Sequence, residues 1–216
     1  RAVGGAISID DAELDILAET KTQVSYNPVS NCYIGAGIAP ITRMLELGID
    51  VSVAVDGSSV NTQNMLETLK FGALLQKADM KDPMALNARD MLHMATMAGA
   101  RALGVPDLLG SIQEGRLADF FLFDGMNLTS APVHDPISAL VYTGGPQSVE
   151  TVVVGGEVLL EDGKFVKIDE EAVVAELQER SLAVAKRANT ERFVKGRRLT
   201  PFAQLERARN GHCTVC

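Results

Sequence analysis

An α/β fold with parallel strands is predicted by three features of this 216-residue chain. The run Val51-Ser-Val-Ala-Val55 holds three valines and one polar side chain, so it reads as a strand covered on both faces. A second strand, Thr22-Gln-Val24-Ser-Tyr26, leads into the polar loop Asn27-Pro28-Val29-Ser30-Asn31 and then, past Gly35 and Gly37, into a helix over residues 41–47. Repetition of strand, polar loop and helix requires parallel strands with right-handed crossovers, and both loops then open on the same side.

The remaining elements follow from periodicity and punctuation. A helix is expected over residues 11–19, a long one over 62–77, and one or two over 87–103, where Met91, Met94, Met97 and Ala98 recur at helical spacing. His93 falls in that stretch and reads as a surface or packed residue without chemistry. From Gly110 the texture changes to short strands at 119–123, 151–154, 157–161 and 165–167, with Asp162-Gly163 as a tight hairpin and Gly155-Gly156 as a further turn. Residues 170–188 form an amphipathic helix expected to turn Val173, Val174, Leu177 and Val184 inward.

Asp56 is the leading site candidate. It stands just past the strand, followed by Gly57, Ser58, Ser59 and Asn61, and barrel enzymes place their chemistry at strand carboxyl ends. On local pattern it could equally be a turn or N-cap aspartate. In Pro132-Val133-His134-Asp135-Pro136 a dyad is conceivable, but Asp135 as N-cap with Pro136 at the first helical position explains the same residues. The terminal His212-Cys213-Thr-Val-Cys216 lacks a second cysteine pair and is a weak zinc or redox signal.

At these residues the chain resembles the metal-dependent amidohydrolase superfamily, in the branch of amino-heterocycle deaminases and chlorohydrolases that includes S-adenosylhomocysteine, guanine, 8-oxoguanine and triazine hydrolases. The resemblance is carried in order by Tyr26-Asn-Pro-Val-Ser-Asn31, Gly35-Ala-Gly37-Ile-Ala-Pro40, Val55-Asp56-Gly57, Leu74-Leu-Gln-Lys77, residues 95–104, residues 110–119 and Pro132-Val-His-Asp-Pro136. It spans roughly residues 10–188. It implies the carboxyl-terminal part of a (β/α)8 TIM-type barrel over 1–109, part of a small β-sandwich over 110–168, a helix over 169–190 and a basic tail over 191–216. Residues 110–119 would cross between barrel and sandwich, with Gly115 in a turn and Asp119 making a backbone contact.

The activity implied is metal-dependent hydrolysis of C–N or C–Cl bonds of an aromatic nitrogen heterocycle. The aspartate ending the last strand would contact a divalent metal, zinc or iron, and take a proton from the attacking water, both roles falling to Asp56. Tyr26, Asn27, Ser30, Asn31, Ser58, Ser59 and Asn61 would line the pocket mouth. Tyr26 stands where the family usually has histidine, which marks either altered substrate choice or a side chain filling space.

A larger departure concerns the metal. The family's His-x-His pair, its further histidines and its glutamate have no counterpart here. The chain opens in what corresponds to the loop after the sixth strand, and its three histidines, His93, His134 and His212, are not spaced to share an ion. One aspartate cannot hold a catalytic zinc, which takes about three protein ligands. The expectation is a carboxyl-terminal half of an enzyme; the alternatives are a non-catalytic half-barrel, or a site completed by another chain.

Composition narrows the class. The chain is 46% apolar and 22% charged, enough for a sizeable core, and no apolar run approaches the roughly 20 residues of a membrane helix. A net charge of -8 leaves no electrostatic footprint for nucleic acid. Three cysteines fit a reducing, cytoplasmic setting. A small heterocyclic substrate and, from the family, a homo-oligomer are the expected partners.

Overall fold

The computed structural model describes residues 1–57 and 63–191. They fall into two units, Arg1–Val166 and a second beginning at Lys167. In the first unit, β1 (Ala2–Gly4), β2 (Gln23–Tyr26) and β3 (Val51–Val53) form a sheet in the order β1-β2-β3, with both pairings parallel. The opening residues are thus a strand, not the loop expected. Helix α1 (Asp11–Glu19) connects β1 to β2 and starts in a capping box, Asp10 and Glu13 each satisfying the other's backbone N–H.

Between β2 and β3 the chain forms α2 (Pro28–Tyr33) and α3 (Ile41–Glu46). Helix α2 replaces the expected polar loop, because Pro28 at its start has its φ pre-set for a helix and needs no N–H there. Strand β3 is buried at all three positions, as a covered parallel strand requires. It ends at Val53, two residues earlier than expected, although the Ala54 N–H still donates to the Tyr26 carbonyl at 2.9 Å.

Helices α4 (Met65–Met80), α5 (Ala88–Ala95), α6 (Met97–Ala102) and α7 (Pro136–Tyr142) complete the core. Val24, Tyr26, Val51 and Val53 share one buried cluster with Leu14, Ile41, Met44, Leu69, Met91, Met94 and Val141. Thr96, with φ −117° and ψ −87°, breaks the 88–102 stretch into two helices. Gly72 lets α4 lie close to the sheet: a Cβ there would stand 3.1 Å from the Tyr26 ring and 3.2 Å from Pro28. Asp135 caps α7 by accepting from the Ser138 N–H (3.2 Å) and hydroxyl (2.7 Å), the Ser138 contact being the chief reason its carboxyl lies below the usual range. That is the structural role, and no dyad is needed to explain Asp135.

The second sheet is antiparallel, in the order β4 (Phe120–Phe123), β5 (Val149–Val154), β6 (Glu157–Glu161), β7 (Lys164–Phe165). Asp162 (φ 49°) and Gly163 (φ 71°) make the expected tight turn, as do Gly155 and Gly156. The expected backbone contact of Asp119 is present, its carboxylate accepting from the Gly155 N–H at 2.6 Å.

At the amino end of β3, Asp50 is gripped by Arg101 through Nε (2.7 Å) and Nη2 (2.6 Å) and by Gln23 Nε2 (2.8 Å). The Arg101 guanidinium is the main reason the Asp50 carboxyl lies below the ordinary aspartate value. Because that value is depressed in the folded chain, the pair's contribution is present above about pH 4 and is lost as pH falls through the folded value. Asp50→Asn should therefore cost about 1–2 kcal/mol near neutrality, modest because both side chains are about a third exposed. It should also flatten the acid limb of stability against pH, as measured by urea unfolding between pH 3 and pH 7.

In the second unit, α8 (Glu170–Arg187) is capped by Asp169, which accepts from the Ala172 N–H at 3.0 Å. Its apolar stripe is not turned inward: Val173, Val174, Leu177 and Val184 are each more than half exposed, and the buried position is the small Ala185. Amphipathic spacing reports a face able to pack without saying that it is covered. Among the described residues no helix is long and apolar enough to cross a membrane. The basic tail from Arg192 and the terminal His212, Cys213 and Cys216 lie outside the described residues.

Candidate functional site

The parallel sheet brings Gly4, Tyr26 and Val53 to the carboxyl ends of adjacent strands, through the pairings Gly4↔Ser25 and Tyr26↔Val53. The residues that follow gather on that side. Asp56 is exposed, with φ +65°. A left-handed backbone is costly for most side chains but tolerated by Asp and Asn.

Ser30 meets it from α2. Its hydroxyl donates to Asp56 Oδ2 at 2.6 Å, within the short range of a hydrogen bond to an ionised acceptor. Ser30 itself is 1% exposed, so the carboxylate is tied to the packed body of the protein rather than to another surface group. Asn27 is half-buried at the end of β2, where its Oδ1 accepts from the Ser25 hydroxyl at 3.1 Å. A Cβ on Gly4 would lie 3.9 Å from Asn27 Nδ2, which places the carboxamide against the end of β1. Asn31 is buried, and its Nδ2 has no hydrogen-bond partner among the described residues.

The expected site residues therefore separate. Asp56, Asn27 and Ser30 lie at one end of the sheet, and Ser30 and Asn31 are buried within α2. The Tyr26 side chain packs elsewhere. Strand alternation sends it, like Val24, to the helix-covered face, where its hydroxyl donates to the Gly72 carbonyl (3.3 Å) and accepts from Gln76 Nε2 (3.4 Å). Burial in that face raises the Tyr26 phenol well above its ordinary range. Ser58, Ser59 and Asn61 lie outside the described residues.

Chemically, the cluster offers a carboxylate whose Oδ2 is held by Ser30 and whose Oδ1 has no hydrogen bond among the described residues. It does not make a zinc site by itself. Among the described residues no three His, Cys, Asp or Glu side chains converge, whereas zinc takes about three protein ligands.

Comparison with known proteins assigns the chain to a family. Residues 3–159 match the model of the amidohydrolase family. The chain belongs to that family. Similar curated amidohydrolases include a 5-methylthioadenosine/S-adenosylhomocysteine deaminase of Desulforamulus reducens, 37% identical over 83% of this chain and 42% of that protein. Another is a 5'-deoxyadenosine deaminase of Methanothermobacter thermautotrophicus, 39% identical over 81% of this chain and 40% of its own length. Among solved structures, a zinc-bound adenosine deaminase from Xanthomonas campestris superposes with a TM-score of 0.80 at 30% identity, over 82% of this chain and 41% of that one. A zinc complex of atrazine chlorohydrolase from Arthrobacter aurescens gives 0.77 at 34% identity, over 82% and 40%. This amidohydrolase chain thus spans about two fifths of the relatives it matches.

The contact between Ser30 and Asp56 escaped sequence reasoning, which placed both at the site without linking them. The available signal was that each closely follows the end of a parallel strand, 26 residues apart.

Proposed function

We propose that this amidohydrolase chain forms the closing strands of a (β/α)8 barrel with part of a small β-sandwich, and supplies the catalytic carboxylate of a heterocycle deaminase. Asp56 carries the reading: a carboxylate at the strands' carboxyl ends, fixed through Oδ2 to buried Ser30. Water adds its oxygen to the ring carbon bearing the amine, and the bond from that carbon to the exocyclic nitrogen breaks. Asp56 takes the proton that the water gives up and passes it to the nitrogen, which departs as ammonia.

An adenine nucleoside is the favoured substrate class, since the two curated relatives described above are deaminases of such molecules. A chloride-bearing triazine is the runner-up, from the atrazine chlorohydrolase. The divalent metal, zinc as in both structural neighbours or iron, would draw its other ligands from outside the described residues, with Asp56 contributing one oxygen.

A second reading, a non-catalytic half-barrel, is favoured by the lack of converging metal ligands among the described residues. One assay separates the two. Zinc-supplemented protein is offered 5'-deoxyadenosine, S-adenosylhomocysteine and atrazine, with ammonia and chloride as readouts, first for this chain and then for the assembled hydrolase, in which histidine-bearing strands complete its barrel. Ammonia release from a nucleoside by the assembled hydrolase, with none from the chain alone, is the expected result. Failure of the assembled form on all three substrates would favour the half-barrel.

A further inference from the structure

We propose that Ser30 is the positioning residue of this site: its hydroxyl clamps Asp56 Oδ2 and so presents Oδ1 as the oxygen that exchanges protons with water and leaving group. The inference rests on the reading of Asp56 as the proton-transferring carboxylate. Asp56 stands on an exposed turn beyond β3, where an aspartate side chain would ordinarily sample several staggered rotamers. The only hydrogen bond described for its carboxylate comes from a residue that is 1% exposed.

Ser30 is itself held from two directions. It lies in α2, whose first residue, Pro28, packs beneath Gly72 of α4, and its own carbonyl accepts the Ile34 N–H at 3.1 Å. A carboxylate with no other hydrogen bond among the described residues is therefore referenced to the helix-packed core. A hydroxyl donor suits the task because it can bond one carboxylate oxygen while leaving the other unhindered. A cationic donor there would compete with substrate and metal for both. Burial also takes Ser30 out of the set of groups that could touch a substrate, so its influence on the reaction passes through Asp56.

The test uses Ser30→Ala, Ser30→Thr, Asp56→Asn and the Ser30→Ala/Asp56→Asn double variant. In the assembled hydrolase, Ser30→Ala should lower kcat about tenfold to a hundredfold with KM within about threefold, the pattern of a misaligned group rather than lost substrate binding. Ser30→Thr, which keeps the hydroxyl, should recover most of kcat. The double variant should be no slower than Asp56→Asn, because the hydroxyl acts only through that carboxylate. A second readout needs no turnover and covers the case in which Ser30→Thr does not fold. In the 216-residue chain labelled with 13C-carboxyl aspartate, the Asp56 resonance, assigned by its loss in Asp56→Asn, should move in Ser30→Ala while the other aspartates stay in place.

Wild-type kcat in Ser30→Ala beside an inactive Asp56→Asn would overturn the positioning role and leave the reading of Asp56 standing. Full activity in Asp56→Asn would overturn that reading itself. An unmoved Asp56 resonance would overturn the clamp whatever the kinetics.

Discussion

Asp56→Asn is expected to lower turnover by the assembled hydrolase by about 10²–10⁴-fold while leaving the chain folded. Asparagine is the informative replacement, because residue 56 sits at φ +65°, a conformation that costs Asn less than Ala. The carboxamide can still accept from the Ser30 hydroxyl, so the local turn survives. What is lost is an oxygen able to take a proton. The residue is exposed and its replacement isosteric, so stability should change by less than about 1 kcal/mol, or a few degrees in Tm for a chain of this size. Ammonia release and thermal unfolding on the same preparations check both halves. A large drop in Tm would attribute any lost activity to folding instead.

The second large effect lies below the site. Tyr26→Ala should cost about 3–5 kcal/mol, the range for emptying the space of a buried aromatic ring. The ring is 1% exposed and is enclosed by Gly72, Gln76 and Pro28. Tyr26→Phe should cost only about 1 kcal/mol, since Gln76 Nε2 keeps its 2.9 Å bond to the Ala39 carbonyl. Tyr26→His should destabilise the chain without adding zinc affinity, because position 26 faces the helices.

Alkali should act on the same ring. Burial holds the phenol neutral in the folded chain, so its contribution is intact below the unfolded value near pH 10 and is lost as pH rises toward the raised folded value. Urea unfolding at pH 8 and pH 11 should show this loss in the wild type but not in Tyr26→Phe. Equal pH dependence in both would place the titration elsewhere.

Much of this architecture could be read from the chain. Valine-rich β3, the Asp162-Gly163 turn and the Asp135-Pro136 helix start each rest on local stereochemistry, whereas the Asp119 contact, with a partner 36 residues away, follows from the family resemblance. The misses share another cause. Helix α2 was hidden because its polar residues, Ser30 and Asn31, read as loop, while their burial depends on α4 arriving from 40 residues further along. For Tyr26, the neighbours in the motif suggest a site, while the parity of its position in β2 decides which way its side chain points. The clamp of Arg101 on Asp50 and the bond from Ser30 to Asp56 join residues 51 and 26 apart, and nothing local announces such a pair. On α8 the periodicity was legible and its burial was not, since a stripe records the capacity to pack.

Chemistry is expected at the strands' carboxyl ends, at residue 56. A crystal structure of the assembled hydrolase carrying Asp56→Asn, with zinc and 5'-deoxyadenosine bound, is the decisive measurement, because the substitution slows turnover and holds substrate in place. The exocyclic nitrogen of the adenine should lie within hydrogen-bond reach of the residue 56 carboxamide, about 2.6–3.2 Å directly or through one water. An adenine bound away from that carboxamide, or at the Asp50 end of the strands, would rule out residue 56 as the site of proton transfer.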